Sequence, residues 1–470
     1  MQKDAHLETI RRNLFYGLLE YTKSFPDFLM PQRFSTASPR EGAALLENIR
    51  ASLEEEQNIL LYVHFPFCFS ACVFCNAFPH KTSHGVQKEY TKGLLKEIDI
   101  YSRSALFDGK TVKCIYLGGG TPTTFTNQDI GDILDKIASC AGLSEDCNIT
   151  CEAHPADLIK NERVKELVKL GIKRVSMGCQ TFDPKVLELC KRSNPETQVR
   201  EAVRKARESG LWTNIDMMIG LPGQTVEGVR RDLDVLSDMA PDSIEYMRHE
   251  IVNPSAISLY QTNEDLLVKT DDLFWMAYHT QEWMEEKGYQ QNGRFTGERV
   301  FPYRYHWLRE MPFLALGSRS RSYTKTVCYD KHEDLSLYLR LIEKDMSPIA
   351  RYTVLNKREQ MFRSLFLNIQ VKAGLDLAAF QNRFGEAAPE VFAPLLRRLS
   401  KYGCVAIDRS SIRLSKYGRY FVEDVCCLIV DHALEEVGYQ TPLKRLPHSS
   451  GSVFDSLAAR SQVQQRGQGG

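Results

Sequence analysis

Short apolar runs alternate with amphipathic helical patterns from Ile59 onward, and the repeat is about 30 residues long. The helical patterns place apolar residues on one face, as with Ile130, Ile133, Leu134 and Ile137. Alternation of strand and helix is typical of a parallel sheet with right-handed crossovers. The sequence therefore predicts an α/β fold, a partial (β/α)6 barrel, with strands at residues 60–65, 113–117, 148–153, 174–178, 213–219 and 243–248.

Three cysteines, Cys68, Cys72 and Cys75, follow the first predicted strand with the spacing C-x3-C-x2-C. Three thiolates this close can hold three irons of a 4Fe–4S cluster and leave the fourth iron open. An open iron is what radical S-adenosylmethionine (SAM) enzymes need, because SAM chelates it before the C–S bond is cleaved. Zinc is the alternative. Zinc sites usually combine two closely spaced pairs of Cys or His ligands, and no second pair follows the three cysteines at a spacing typical of zinc sites.

Polar motifs lie at the ends of four further strands, which is where ligands bind in barrels. The glycine-rich loop at 118–121 lets the backbone approach a ligand closely, although a triple glycine also suits a plain turn. Glu152 can accept hydrogen bonds from a ligand or form a salt bridge, and Gln180 offers an uncharged hydrogen-bonding group. Asp216 lies in an apolar strand, where a carboxylate is costly to bury without a partner. These side chains are therefore candidates for one site.

Composition narrows the class of protein. Basic and acidic residues number 60 each, so nothing indicates a nucleic acid or an anionic membrane as partner. The sequence shows no signal peptide and no stretch approaching the roughly 18 apolar residues of a membrane helix. The 13 cysteines are scattered apart from the triplet and one adjacent pair. We therefore expect a cytoplasmic protein with reduced thiols.

Five segments and the C-terminal region carry a resemblance to a known family. The segments are Tyr-Val-His-Phe-Pro-Phe-Cys from Tyr62, Gly-Gly-Gly-Thr-Pro from Gly118, Glu-Ala-His-Pro from Glu152, Arg-Val-Ser-Met-Gly-Cys-Gln from Arg174 and Asn-Ile-Asp-Met-Met-Ile-Gly-Leu-Pro-Gly-Gln-Thr from Asn214. Over residues 58–435 the chain resembles the HemN-like radical SAM family, the relatives of oxygen-independent coproporphyrinogen III oxidase.

The resemblance implies cofactors and roles for particular residues. It implies a 4Fe–4S cluster held by Cys68, Cys72 and Cys75, with SAM at the open iron and commonly a second SAM nearby. Tyr62 is expected beside the cluster, in a catalytic and cofactor-binding role. The other residues implied to contact SAM are Gly119, Gly120, Thr121, Glu152, Gln180, Arg192 and Asp216.

Two departures separate this chain from the oxidases. The oxidases carry a fourth cysteine two residues after the triplet, where this chain has Ala77. They also carry an Arg-Tyr-Thr-Ser-Tyr-Pro-like segment that residues 33–40 do not match. Both departures argue against tetrapyrrole decarboxylation. In the late loop at 317–323, Arg319 and Arg321 replace small residues and the usual histidine. They either meet an anionic or carbonyl-bearing substrate or are solvated.

The departures favour the branch of class C radical SAM methyltransferases and cyclopropanases. In the mechanism that this resemblance implies, the radical from one SAM abstracts hydrogen from the methyl group of a second. The resulting carbon radical then adds to an sp2 carbon of a flat substrate held beside both. We expect a quinone such as menaquinone, a tetrapyrrole or a heteroaromatic such as an indole as the acceptor. The alternatives are an oxygen-independent coproporphyrinogen III oxidase and a non-catalytic heme chaperone.

The chain divides into four expected regions: an N-terminal extension at 1–56, a radical SAM barrel at 57–335, a mostly helical, winged-helix-like HemN-type domain at 336–437, and a disordered tail at 438–470. No basic recognition face indicates DNA binding. A flavodoxin or ferredoxin is the expected electron donor, and a monomer is the expected state. The aromatic residues between Phe274 and Trp307 either line a planar-ligand site or belong to the core.

Overall fold

The computed structural model describes residues 35–37, 41–77, 79–160, 162–251, 253–292, 295–297 and 301–436. The expectations for residues 1–34 and for the tail at 438–470 lie outside these ranges. Among the described residues, no helix combines the length and the apolar character that crossing a bilayer requires.

Strands and helices alternate through the first two thirds of the chain. The strands are β1 (Ser35–Thr36), β2 (Asn58–Phe65), β3 (Phe67–Cys68), β4 (His80–Lys81), β5 (Thr111–Gly119), β6 (Gly142–Ala153), β7 (Ile172–Gln180), β8 (Trp212–Ile219), β9 (Ser243–Arg248), β10 (Gln290–Asn292), β11 (Phe295–Gly297), β12 (Phe313–Leu316), β13 (Arg321–Tyr323), β14 (Val327–Lys331), β15 (Ile349–Val354), β16 (Leu375–Asp376), β17 (Val405–Ile407) and β18 (Ser411–Leu414). The α-helices are α1 (Gly42–Ser52), α2 (His84–Arg103), α3 (Asn127–Cys140), α4 (Pro155–Leu158), α5 (Arg163–Lys169), α6 (Pro184–Leu189), α7 (Glu196–Glu208), α8 (Val226–Met239), α9 (Pro254–Thr262), α10 (Thr270–Glu286), α11 (Pro302–Leu308), α12 (Leu335–Glu343), α13 (Lys357–Asn368), α14 (Leu377–Phe384), α15 (Ala388–Val391), α16 (Ala393–Lys401), α17 (Lys416–Tyr420) and α18 (Val422–Glu436).

Six parallel strands form the centre of the main sheet, in the order β2-β5-β6-β7-β8-β9. They contain the six predicted strands, so the α/β prediction is confirmed. Helices cover the outer face of such parallel strands, and side chains fill the space on their inner face. Both faces are therefore buried, and the strand sequences are nearly continuous apolar runs. The helices between them have matching apolar faces; in α3, Ile130, Ile133 and Ile137 are fully buried, and Thr126 caps the first turn through Asp129.

The sheet extends on both edges beyond the six strands of the predicted partial barrel. Strand β12 pairs in parallel with β2, and β13, β14 and β15 continue antiparallel from it, with β1 at the far edge. On the other edge, β11 and β10 pair antiparallel to β9. The predicted domain boundary at 335/336 therefore falls before the last long strand of the sheet, and we propose that the C-terminal domain begins near residue 355.

The C-terminal region is helical with a small three-stranded sheet, in the order β16-β18-β17. Helix α16 ends before Gly403, whose φ of 68° lies in the left-handed region that glycine tolerates. The β17–β18 hairpin and the last helices follow, as the sequence predicts. One contact with the barrel is an ion pair: Arg248, at the end of β9, donates to both carboxylate oxygens of buried Asp424 at 3.1 and 3.2 Å.

Strands β12 to β15 form a wing of the sheet beyond β2, and a fully buried ion pair fixes this wing to α2. Lys331 in β14 contacts Glu97 of α2, and neither side chain is exposed. Glu97 also accepts from the Gly317 amide and from the Tyr338 hydroxyl, each at 2.7 Å. The pair therefore holds the loop after β12 in position.

Lys331→Met is expected to lower the free energy of unfolding by about 3–5 kcal/mol, because it leaves the Glu97 carboxylate buried without its cation. The matched control is Lys169→Met, which removes a Lys–Glu pair whose lysine side chain is 71% exposed. That control is expected to cost less than about 1 kcal/mol. Chemical denaturation of both variants measures the contrast, and equal costs would contradict the structural role of the buried pair.

Candidate active site

One cavity of about 640 Å³ lies at the carboxyl end of the parallel strands. Ten of the eleven site residues named from the sequence line it, although they come from strands and loops up to 148 positions apart in the chain. These ten are Cys68, Cys72, Cys75, Gly119, Gly120, Thr121, Glu152, Gln180, Arg192 and Asp216. The volume is in the ordinary range for a small-molecule site.

The three cysteines lie on the loop after β2, and all three are free thiols that are partly buried. Thr121 contacts Cys68, with 3.1 Å between the hydroxyl oxygen and the sulfur. Arg192 donates from Nη1 to the Cys72 sulfur at 3.4 Å. No set of three His, Cys, Asp or Glu side chains among the described residues converges on a single metal ion. Cys68, Cys72 and Cys75 all line one cavity, and three thiolates at this spacing suit a cluster in which each binds a different iron.

Glycines 119 and 120 allow the end of β5 to pack against the start of the cysteine loop. A Cβ added at Gly119 would clash with the His64 ring, and one added at Gly120 would clash with the Phe67 carbonyl oxygen. The Gly119 amide donates to Glu152 at 2.9 Å, and the Gly120 amide donates to the Phe65 carbonyl at 2.7 Å. These amides therefore donate to protein groups. Glycine is required at both positions because the backbone packs closely against His64 and Phe67 of the protein itself.

Gly119→Ala is expected to displace His64 or the loop, and to cost about 1–3 kcal/mol of stability together with loss of SAM binding. The φ of 110° at this position adds backbone strain for any residue with a Cβ. Gly85→Ala is the control, because a Cβ there meets nothing within 4 Å. Thermal denaturation and SAM equilibrium dialysis measure both effects. A Gly119→Ala protein that matched Gly85→Ala in both would contradict this account.

Two half-buried carboxylates face the cavity from β6 and β8, the strands on either side of β7. Glu152 accepts from the Tyr116 hydroxyl at 2.6 Å, and burial raises its pKa to about 7. Asp216 accepts from the Asn214 amide at 2.5 Å, and burial raises its pKa to about 6, although the Arg174 guanidinium opposes the shift. Near neutral pH the Glu152 carboxyl is therefore about half-ionised and the Asp216 carboxyl is mostly ionised, and a cationic ligand favours the charged form of both.

Glu152→Gln is expected to change how stability depends on pH. Between the ordinary pKa of 4.5 and the folded-state pKa of about 7, the folded chain holds a proton that the unfolded chain releases. The wild-type free energy of unfolding therefore loses about 3 kcal/mol through this group as the pH rises across that window, and the variant does not. Denaturation of cluster-free protein at about pH 4.5 and pH 8 gives the free energy of unfolding of the variant minus that of the wild type, a difference in which titrating groups far from Glu152 cancel. A difference that is the same at both pH values would contradict the assignment.

Buried polar atoms in the wall still lack protein partners among the described residues. Gln180 has its side-chain oxygen buried and unbonded, and its φ of 73° is unusual for a residue with a Cβ. Arg192 has its Nε buried and unbonded, while its Nη2 donates to the Gly178 carbonyl. Unpaired groups of this kind are costly unless a ligand satisfies them. The thiols, carboxylates and these two side chains fit a cluster with a polar, cationic cofactor beside it.

Tyr62 is the one named residue that does not line this cavity. Its hydroxyl lies 2.9 Å from His64 Nδ1, and its ring stacks on Tyr116 at a centroid distance of 5.9 Å. It therefore lies deeper in the barrel, joined to the cavity through Tyr116 and Glu152.

Sequence reasoning missed the polar interior of the barrel. Arg174 is 2% exposed, donates to Ser243 at 3.0 Å and lies 3.8 Å over the Phe301 ring. Ser176 donates to Asp216 at 3.2 Å. The available signal was period-two spacing, since alternate residues of β7 point into the barrel.

Comparison with known proteins gives the same assignment. The Radical SAM superfamily model matches residues 62–236, and the HemN C-terminal domain model matches residues 355–421. Oxygen-independent coproporphyrinogen III oxidase of Helicobacter pylori is 25% identical over 80% of this chain and 86% of its own length. Heme chaperone HemW of Bacillus subtilis is 27% identical over 77% of this chain and 97% of its own. The structure of coproporphyrinogen III oxidase (HemN) from Escherichia coli superimposes with a TM-score of 0.76 at 23% identity, over 89% of this chain and 98% of that one.

A curved parallel sheet with a three-cysteine loop at its carboxyl edge defines a radical SAM protein. Within that class, the chain belongs to the HemN-like family, since it carries both the Radical SAM and the HemN C-terminal domains. Its cofactors are accordingly a 4Fe–4S cluster and SAM. The predicted family, fold class and these two cofactors are confirmed, while the roles of individual residues stay predictions.

Proposed function

We propose that this chain cleaves SAM in the 640 Å³ cavity and directs the 5′-deoxyadenosyl radical at a flat ring substrate of the tetrapyrrole class. The observation that carries the proposal is the convergence of three free thiols and two half-buried carboxylates on that cavity. Relatives named for coproporphyrinogen and for heme align over more than three quarters of the chain, which supports the substrate class.

Cys68, Cys72 and Cys75 are the proposed ligands of the cluster. When bound there, the cluster supplies the electron that breaks the C–S bond of SAM. Thr121 hydrogen-bonds to the first sulfur, and Arg192 places a positive charge beside the second. Burial raises the pKa of the Cys68 thiol to about 11, and the Thr121 hydrogen bond opposes that shift.

The proposed SAM contacts follow from charge. SAM carries a sulfonium and an ammonium cation, and the carboxylates of Glu152 and Asp216 complement them. The amides of the glycine loop already donate within the protein, so the loop offers SAM its carbonyl oxygens. Gln180 and Arg192 supply the remaining polar contacts, including a cation for the SAM carboxylate.

Oxidative decarboxylation of coproporphyrinogen III is the reaction that the named relatives favour. In that reaction the radical takes a hydrogen atom from a propionate side chain, carbon dioxide leaves, and one electron must pass to an acceptor. Tyr62 is proposed to act as a positioning residue, because its hydroxyl lies 2.9 Å from His64 Nδ1 and its ring stacks on Tyr116, which donates to Glu152. A flavodoxin or ferredoxin is the proposed source of the electron that starts the cycle.

Methyl transfer to an sp2 carbon is the second candidate, and one observation favours it. Ala77 lines the reaction cavity at the position where the oxidases carry their fourth cysteine. The chain therefore differs from the oxidases at a residue that lines the proposed reaction cavity. Methyl transfer through a second SAM consumes two SAM molecules per product.

One anaerobic experiment separates the candidates. The reconstituted protein is supplied with reductant, methyl-labelled SAM and coproporphyrinogen III, or with heme or menaquinone instead, and the products are analysed by mass spectrometry. The oxidase is expected to give 5′-deoxyadenosine and carbon dioxide. A methyltransferase gives equal 5′-deoxyadenosine and S-adenosylhomocysteine, with label in the ring product. No SAM cleavage, together with tight heme binding, contradicts the enzyme proposal and indicates a chaperone.

A further inference from the structure

The end of β9 forms part of the wall of the reaction cavity, the cavity of about 640 Å³ that the three cysteines line. Met247, Arg248 and Glu250 all line it as well. Met247 and Arg248 also line a smaller cavity of about 80 Å³, which lies between β9, α10 and the start of α18. The last residues of β9 therefore form a partition with a space on either side.

Strand pairing supports the end of β9 on one side. Arg248 is opposite Ile219 of β8, and the His249 amide donates to the Ile219 carbonyl at 2.8 Å. On the other side, the pairing with β11 among the described residues reaches only as far as Glu245. Protein interiors are normally close-packed, so a strand end with a cavity on both sides lacks part of the packing that fixes its neighbours. Its position therefore depends on further contacts.

One such contact comes from the C-terminal domain. Arg248 donates to both carboxylate oxygens of Asp424, which lies in the first turn of α18. The Arg248 Nε atom also lies 3.7 Å from a carboxylate oxygen of Glu423. A guanidinium–carboxylate pair with two parallel hydrogen bonds fixes the orientation of the partners as well as their distance. Because Arg248 belongs to the cavity wall, the position of α18 sets the position of that wall.

Burial makes the two partners dependent on each other. The Arg248 side chain is 9% exposed and the Asp424 side chain is 2% exposed. Burial raises the pKa of the Asp424 carboxyl, and the Arg248 guanidinium opposes that shift. Breaking a buried pair by removing one partner is costly, because the other group stays buried without this counter-charge. The end of β9 and the start of α18 are therefore expected to move together.

Other ion pairs join the two domains away from the reaction cavity. Lys416 of α17 lies 3.3 Å from Glu282 of α10, and its side chain is 52% exposed. Arg419 of α17 lies 3.4 Å from Glu285 of the same helix. The reaction cavity is lined by none of these four residues. Lys416 therefore offers a matched control, since it joins the same domains without reaching the cavity wall.

We propose that Asp424 is a positioning residue of the reaction cavity, which acts through Arg248 to hold the end of β9 at the wall against which SAM binds. The proposal rests on the proposed function for the place of SAM in that cavity. Coupling between two sites is reciprocal, so bound SAM also stabilises the docking of the C-terminal domain on the barrel. The C-terminal domain thereby contributes to the cofactor site, although the proposed SAM contacts all belong to the barrel.

SAM binding to the cluster-loaded full chain, measured by equilibrium dialysis with labelled SAM, tests the proposal. Asp424→Asn and Arg248→Met are each expected to weaken SAM binding about fivefold or more. Arg248→Lys is expected to recover part of the loss seen in Arg248→Met, because lysine keeps the charge but not the two-bond geometry. Lys416→Met is expected to bind SAM as the wild type does. Wild-type affinity in both Asp424→Asn and Arg248→Met overturns the proposal.

A double variant separates the ion pair from a general loss of stability. If the two residues act through one contact, Arg248→Met combined with Asp424→Asn weakens SAM binding no more than the stronger single variant does. Losses that multiply overturn the proposal, because the two residues then act independently. Iron content shows that the cluster is intact in each variant.

Hydrogen exchange tests the reciprocal effect in the wild-type chain, without any substitution. SAM is expected to slow exchange at residues 422–428, at the start of α18, and to leave α1 unchanged. The slowing is expected to persist in Lys416→Met and to disappear in Asp424→Asn. No effect of SAM on α18 in the wild type overturns the proposal. A chain that binds SAM with this pattern but never cleaves it keeps the positioning role and loses the proposed function.

Discussion

A Cys72→Ala variant is expected to lose its iron–sulfur absorbance and all SAM cleavage above the background of the assay. The sulfur of Cys72 is one of three on the loop after β2, and it accepts a hydrogen bond from Arg192 at 3.4 Å. Two remaining thiols leave two irons without protein ligands, so the cluster is not retained. Iron content, visible absorbance and 5′-deoxyadenosine formation measure the loss.

Cys190→Ala is the matched control for this prediction. Cys190 is fully buried, and its carbonyl accepts from the Val73 amide of the cysteine loop at 3.1 Å, a bond that alanine preserves. The substitution removes one buried sulfur atom and is expected to cost about 1 kcal/mol with the cluster intact. If Cys72→Ala kept the iron content of Cys190→Ala, the cysteine triplet would not be the cluster site.

The six central parallel strands and the helices between them were predictable because apolar residues recur along them in the regular patterns of buried strands and amphipathic helices. Strands such as β5 and β8 are buried apolar runs, and the helices between them, such as α3, have a well-defined apolar face. The wing formed by β12 to β15 was not predictable in the same way. Its strands are short and carry charged residues such as Arg321 and Asp330, and its place beside β2 depends on pairing between residues some 250 positions apart.

The candidate site was predictable only where a strand ends in a recognisable motif. Glu152 and Asp216 were named because each stands out in an apolar setting, and the structure places both at one cavity. Arg174 and Tyr116 were missed because period-two spacing groups the residues of a strand by face but does not by itself say which polar side chains meet inside the barrel.

Asp216→Asn is expected to weaken SAM binding about 30-fold or more while the cluster is retained. Asparagine keeps the size of the side chain and can still accept the hydrogen bond that Ser176 donates at 3.2 Å. It removes the negative charge that, in the proposed function, faces the cations of SAM. Equilibrium dialysis with labelled SAM, together with the iron content, measures the effect. Asp238→Asn, on an aspartate side chain that is 72% exposed, is the control.

The pH dependence of SAM binding separates a ligand role of Asp216 from a purely structural one. Its pKa is raised to about 6 by burial, so the carboxylate that attracts SAM is present above that pH and is lost as the pH falls through it. Wild-type affinity is therefore expected to fall below about pH 6, while this part of the pH dependence disappears in Asp216→Asn. If the variant bound SAM as tightly as the wild type at every pH, Asp216 would serve only to balance the charge of Arg174 inside the barrel.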